Sequence, residues 1–173
     1  MINKRLIRVI TILTFFICGL SCSDDRDIPT LKIHGQISGR MRTFYSVLVP
    51  ADTTEEQLVN IIYEIRNARE GNYLNTYFPP TTHNGTMGEY AVIGIFIFSD
   101  PDMAYSSSLE KYMRSSNTPS DVKFDQQYAE KVLAYYYYSI VLDVEFGCLG
   151  LRDTKVKPTT TYKKLFGKNY YDY

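Results

Sequence analysis

The chain has 173 residues, with 19 Lys and Arg balanced by 19 Asp and Glu. No basic block interrupts that balance, which excludes a nucleic-acid partner of the kind held by clustered cations. Sixteen tyrosines and no tryptophan make tyrosine the compositional outlier.

Lys4, Arg5 and Arg8 precede an apolar run from Val9 to Leu20, the layout of an export signal. The run falls short of the roughly 20 apolar residues that a membrane span needs. Ser23, Asp24, Asp25, Arg26 and Asp27 follow almost at once, so the pattern predicts a cleaved signal over residues 1–21. Gly19-Leu20-Ser21-Cys22 resembles the lipobox of bacterial lipoproteins, in which the cysteine is diacylated and becomes the first mature residue. Gly19 stands where leucine is usual. Cys18 is the weaker candidate, because bulky Phe16 and Ile17 precede it.

Ser23-Asp24-Asp25 resembles the Ser/Asp-rich export signal of Bacteroidota lipoproteins. The resemblance implies a lipid anchor at Cys22, a tether over residues 22–30 and a location on the cell surface of the outer membrane, with its periplasmic face as the alternative. Residues 31–173 are then one domain, long enough for its own core. With Cys18 in the signal and Cys22 on lipid, Cys148 has no disulfide partner. Between Gly147 and Leu149 it reads as a buried small hydrophobe.

In chain order, Leu31–Gly35 reads as an edge strand, and Arg42–Val49, apolar on both faces, as an interior strand. Thr53 and Glu56 form the pattern of a capping box. Leu58, Ile61, Ile62, Ile65 and Ala68 then recur at helical spacing, predicting a helix over 54–69 that Gly71-Asn72 ends. Tyr73–Phe78 reads as a second strand, parallel to the first across the helix. A loop opens at Pro79-Pro80. Glu89–Phe98 has the doubly apolar pattern of a central strand.

Met103–Arg114 predicts a short helix and Ser115–Asp121 a loop. From Val122 to Phe146 there is no Gly, Pro or Asn, and 25 residues are too many for one strand. Gln126–Tyr136 favours helix and Ser139–Phe146 strand, with the boundary between them open. Thr160–Phe166 and Asn169–Tyr173 flank Gly167-Lys168 as a hairpin would. The fold class that follows is α+β, a small mixed β-sheet with helices mainly on one face and a strand-helix-strand-strand core. The run from Arg42 through Asp102, including Tyr77–Pro80, is similar to small Bacteroidota lipoproteins of unknown function. That resemblance implies fold and source, and no activity.

Candidate chemistry is sparse. His34 and His83 lack the spacing that preorganises a metal, so neither a metal nor a cofactor is expected. Asp143 and Glu145, two apart on an expected strand, would share a face as glycosidase carboxylates do, or form a solvated face. Asp100 and Asp102 read as a turn. Among the tyrosines, Tyr135, Tyr137, Tyr170 and Tyr171 are the candidates for protein or glycan recognition. Four consecutive tyrosines, Tyr135–Tyr138, cannot all point one way, so about half should enter the core. Asp52-Thr53-Thr54 resembles a Bacteroidota O-glycosylation motif, implying a sugar on Thr53. The expected function is a non-enzymatic binding module for a protein or glycan, anchored in the membrane by lipid. A small envelope hydrolase and an immunity-type lipoprotein are the alternatives.

Overall fold

The computed structural model describes residues 28–39, 41–82, 88–116, 118–152 and 155–167. Its strands are β1 (Lys32–Ser38), β2 (Arg42–Leu48), β3 (Val92–Phe98), β4 (Ala134–Ser139), β5 (Val144–Leu149) and β6 (Lys163–Gly167). They form one mixed sheet in sequential order, β1-β2-β3-β4-β5-β6. Only β2 and β3 run parallel, in unbroken register from Arg42 opposite Val92 to Leu48 opposite Phe98. The helices are α1 (Glu55–Glu70), α2 (Pro101–Ala104), α3 (Ser106–Arg114) and α4 (Pro119–Lys131).

The period-2 pattern of the strands explains why helices lie on both faces. In β3, Ile93, Ile95 and Ile97 point to α1, while Phe96 and Phe98 point to α2, α3 and α4. A central strand covered on both sides needs apolar residues at every position, as this one has. Three of the four described helices share one face, and α1 covers the other by itself. Its buried stripe of Leu58, Ile61, Ile62, Ile65 and Ala68 is the one expected from the spacing. Each large aliphatic in that stripe contributes on the order of 2 kcal/mol by leaving water.

The cap of α1 differs from expectation by one residue. Thr54 is the N-cap: its Oγ1 accepts from Gln57 N at 3.2 Å, and Gln57 Oε1 accepts from Thr54 N at 2.9 Å. Thr53 instead donates its hydroxyl to Pro50 O at 2.7 Å. At the other end, Asn72 takes the left-handed conformation (φ 59°), with Asn72 N on Arg69 O and Tyr73 N on Ala68 O. Asparagine tolerates that conformation better than most residues, so the chain reverses without a glycine at that position.

Tyr73–Phe78 is not a strand. Leu74–Thr76 forms a 3-10 turn, and Leu74 and Phe78, four apart, are the buried pair. Their spacing serves a helical turn as well as a strand, and the turn wins because Phe78 N bonds Leu74 O at 3.0 Å. The parallel crossover therefore runs from β2 through α1 to β3. The single helix expected over Met103–Arg114 is divided between α2 and α3 at Tyr105, whose ψ of 147° is extended. The region expected as loop over Ser115–Asp121 already contains the start of α4, where Thr118 caps and Pro119 occupies the first turn. That helix ends at Lys131, before the predicted limit of Tyr136, and β4 starts at Ala134. The expected strand Ser139–Phe146 is a hairpin turn followed by β5. Of the tail hairpin, the first arm pairs with β5 as β6; Asn169–Tyr173 lie outside the described residues.

Both sheet edges are blunted against pairing with other chains. At β1, Gln36 N donates to Ser106 Oγ at 3.0 Å, and Gly35 lies so close to the α2–α3 junction that a Cβ there would come 2.5 Å from Ala104 O. At β6, the register shifts between Gly147 and Cys148, and Lys163 and Lys164 are exposed.

Candidate functional site

The chain enters the sheet at one end and presents its most unusual surface at the other. Lys32 opens β1 opposite Leu48, the last residue of β2. Arg42, the first residue of β2, lies level with Val92 and, through it, with Ser139 at the end of β4. The β4–β5 turn, Ile140–Asp143, therefore stands one strand length from Lys32, roughly 20 Å at ~3.3 Å per residue.

Ile140, Val141 and Leu142 at this turn are 46%, 55% and 49% exposed. The turn is well tied: Ile140 N donates to Ala91 O at 2.9 Å, Leu142 N donates to Ser139 Oγ at 3.2 Å, and Asp143 closes it at φ 50°. Three consecutive aliphatics held in water by a fixed turn are a marker of an interaction surface. Singly exposed apolar residues need no such reading.

Beside the turn, on the α1 face, is a concavity of about 550 Å³ lined by Arg69, Asn72, Leu74, Glu89, Tyr138 and Ile140, among others. Arg69 forms its rigid wall. The guanidinium meets Glu145 through Nε to Oε1 at 2.8 Å and Nη2 to Oε2 at 3.0 Å, and lies over the Tyr138 ring at 4.4 Å. Tyr136 donates to Glu145 Oε1 at 2.7 Å and accepts from Arg69 Nε at 3.1 Å. Burial by itself lowers the Arg69 pKa; the hydrogen bonds and charges of Glu145 and Tyr136 together outweigh it, so the net shift is upward. Burial, reinforced by Glu145, pushes the Tyr136 phenol well above its usual range. The cluster is a fixed, charge-compensated scaffold.

The expected recognition tyrosines divide along the strand, not between its faces. Tyr135 and Tyr137 face α2–α4, and Tyr136 and Tyr138 face α1. Because helices cover both faces, depth decides exposure. Tyr135 is 8% exposed and stacked on Phe96 at 4.4 Å, so it belongs to the core and not to a recognition surface. Tyr137 is half-buried against Phe146 at 5.8 Å. Tyr138, which side-chain parity alone does not single out, reaches the concavity because it is the tyrosine nearest the turn on the α1 face. Tyr170, Tyr171, Cys22 and His83 lie outside the described residues. Thr53 is half-buried with its hydroxyl turned to Pro50.

The carboxylate pairs do other work. Asp143 sits in the turn and Glu145 is held by Arg69, so the two do not form a common acidic face. Asp100 caps α2 by accepting from Asp102 N at 3.0 Å. Among the described residues, no three His, Cys, Asp or Glu side chains gather as a metal site. His34 packs its ring 4.5 Å from that of Tyr105. Cys148 is buried; burial raises its thiol pKa to about 12, and Sγ donates to Gly150 O at 3.4 Å.

The missed part of the site, Ile140–Leu142, carries a sequence signal that is visible in retrospect only as an anomaly: three aliphatics in succession where a turn is needed. No family model matches the chain, and no curated protein and no solved structure matches it either.

Proposed function

We propose that the protein is a lipid-anchored envelope lipoprotein whose domain binds a protein partner through the Ile140–Leu142 turn. In this reading residues 1–21 direct export, Cys22 carries the lipid, and the tether holds the domain at the outer surface of the outer membrane. The observation that carries the binding reading is the exposed turn at the end of the sheet away from Lys32. A tether joined to β1 at one end leaves the opposite end free to meet a partner. A glycan is the second reading, favoured by the concavity, where the Tyr138 ring lies beside the polar groups of Asn72 and Glu89.

Half-exposed aliphatics that become buried contribute roughly 1 kcal/mol each. Replacing Ile140, Val141 and Leu142 together by Ser is therefore expected to weaken association by about 3 kcal/mol, on the order of a hundredfold. The test is the native size of the detergent-solubilised full-length protein from its own cells. The wild type should run as a discrete complex and the triple variant as the free lipoprotein; equal sizes would count against the turn. For the anchor, Cys22→Ser should abolish labelling by fatty-acid precursors, and persistent labelling would remove that part of the reading.

A further inference from the structure

The concavity and the exposed turn share a wall. Ile140 belongs to both, so a partner seated on the Ile140–Leu142 turn also roofs the mouth of the concavity. The groups at that mouth then decide what the partner must carry.

Four charges on the α1 side cancel one another. Arg69 grips Glu145 with two prongs and also meets Glu70, while Arg66 lies 3.1 Å from Glu70 and 3.7 Å from Glu145. Two cations are thus matched by two carboxylates. Glu89 lines the same concavity and takes no part in this network. It is exposed, and its carboxylate makes no ion pair or hydrogen bond among the described residues. In water such a group is satisfied by its hydration. Under a protein partner it loses that hydration, at a large cost unless a cation takes the place of the water.

Two more acceptors line the same space. Tyr138 is half-buried, and neither its hydroxyl nor the Asn72 side chain makes a hydrogen bond among the described residues. A carboxylate, a phenol oxygen and an amide oxygen match the three N–H donors of an ammonium group. Leu74 and Ile140 supply apolar wall for a methylene stem. The volume of about 550 Å³ admits such a side chain whole. A sugar fits less well, because Arg69 already covers one face of the Tyr138 ring, at 4.4 Å, where a pyranose would stack.

We propose that the concavity seats a lysine side chain of the partner, with its ammonium group on Glu89, Tyr138 and Asn72 and its stem against Leu74 and Ile140. The inference rests on the reading of the turn as a protein contact. It adds the partner's chemistry, an apolar socket for the turn with a lysine beside it.

The test joins the two groups where they meet. In cells that make the full-length lipoprotein, a water-soluble carbodiimide activates carboxylates, and an amine in contact displaces the urea to leave an amide. Peptide mapping should find Glu89 joined to a lysine of another protein. Glu89→Gln should remove that adduct and loosen the detergent-solubilised complex at least tenfold, and Tyr138→Phe should loosen it about threefold. Glu56→Gln, exposed at the opposite end of α1, should change neither. A complex disrupted by the triple Ser variant of the turn but untouched by Glu89→Gln would overturn the lysine seat and leave the turn standing. A complex that survives the triple variant would remove the turn reading, and this inference with it. Release of the complex by free glucose or N-acetylglucosamine would put a sugar in the concavity and overturn the proposal.

Discussion

Arg69 and Glu145 lie 76 positions apart and meet in a two-pronged ion pair that joins the last turn of α1 to the start of β5. Their side chains are 20% and 18% exposed, so the pair is shielded but not dry. Removing one partner strands the other with its hydrogen bonds unmade. Glu145→Gln is expected to cost about 1–3 kcal/mol. The double change Arg69→Met with Glu145→Leu should cost clearly less than the sum of the single changes. Urea denaturation of the four proteins measures the coupling, and strict additivity would show that the pair contributes nothing beyond its parts.

Gly147 permits the close approach of α1 and β6 to β5. A Cβ there would sit 2.5 Å from Ile62 Cγ2 and 2.7 Å from the Phe166 ring. Gly147→Ala should therefore destabilise by about 1–3 kcal/mol through overpacking, although alanine suits a strand better than glycine. A stability equal to or above the wild type in thermal melts would contradict that packing.

The two threonines before α1 separate by mutation. Thr54→Ala should cost about 1 kcal/mol as the loss of an N-cap, and Thr53→Ala less, because the Thr53 hydroxyl bonds the Pro50 carbonyl and not the helix N–H groups. The reverse order in denaturation midpoints would restore Thr53 as the cap. If Thr53 carries a sugar, mass mapping of the 50–69 segment from the native host locates it, and Thr53→Ala removes the added mass.

Cys148 should resist alkylation at pH 8 in the folded protein and react on unfolding, as followed by mass mapping of that residue. Its folded pKa is raised from 9.0 to about 12 by burial, so the folded state holds the proton more tightly than the unfolded one. The resulting stabilisation is complete below pH 9 and is lost as pH rises towards 12. Tyr45, pushed up to about 12 by burial, adds to the same alkaline loss. Cys148→Ala should flatten part of that decline; an unchanged slope would show that the thiol does not contribute.

The sequence made the helix α1, the buried stripe beneath it and the central strand β3 legible, because each has one dominant period. It was ambiguous where two periods fit the same residues. Leu74 and Phe78 suit a strand or a turn, and only the bond from Phe78 N to Leu74 O decides. The β4–β5 turn was concealed for a different reason. Its left-handed residue is Asp143 instead of Gly or Asn, and Ile140–Leu142 continues the apolar pattern of the strand before it. A local pattern that conflicts with its structural role is characteristic of a functional position. The Arg69–Glu145 pair was illegible altogether, since nothing local links residues so far apart. The tyrosine run was legible by half: two of the four, Tyr135 and Tyr136, enter the core, but which two follows distance from the turn.

The exposed Ile140–Leu142 turn is the surface proposed to meet a protein partner. A photo-crosslinking residue at Val141 in the full-length lipoprotein, activated in the cells that make it, tests this most directly, with the same residue at Lys123 as the control. A discrete adduct is expected from Val141 and none from Lys123. No adduct from Val141, or the same adducts from both positions, would contradict it.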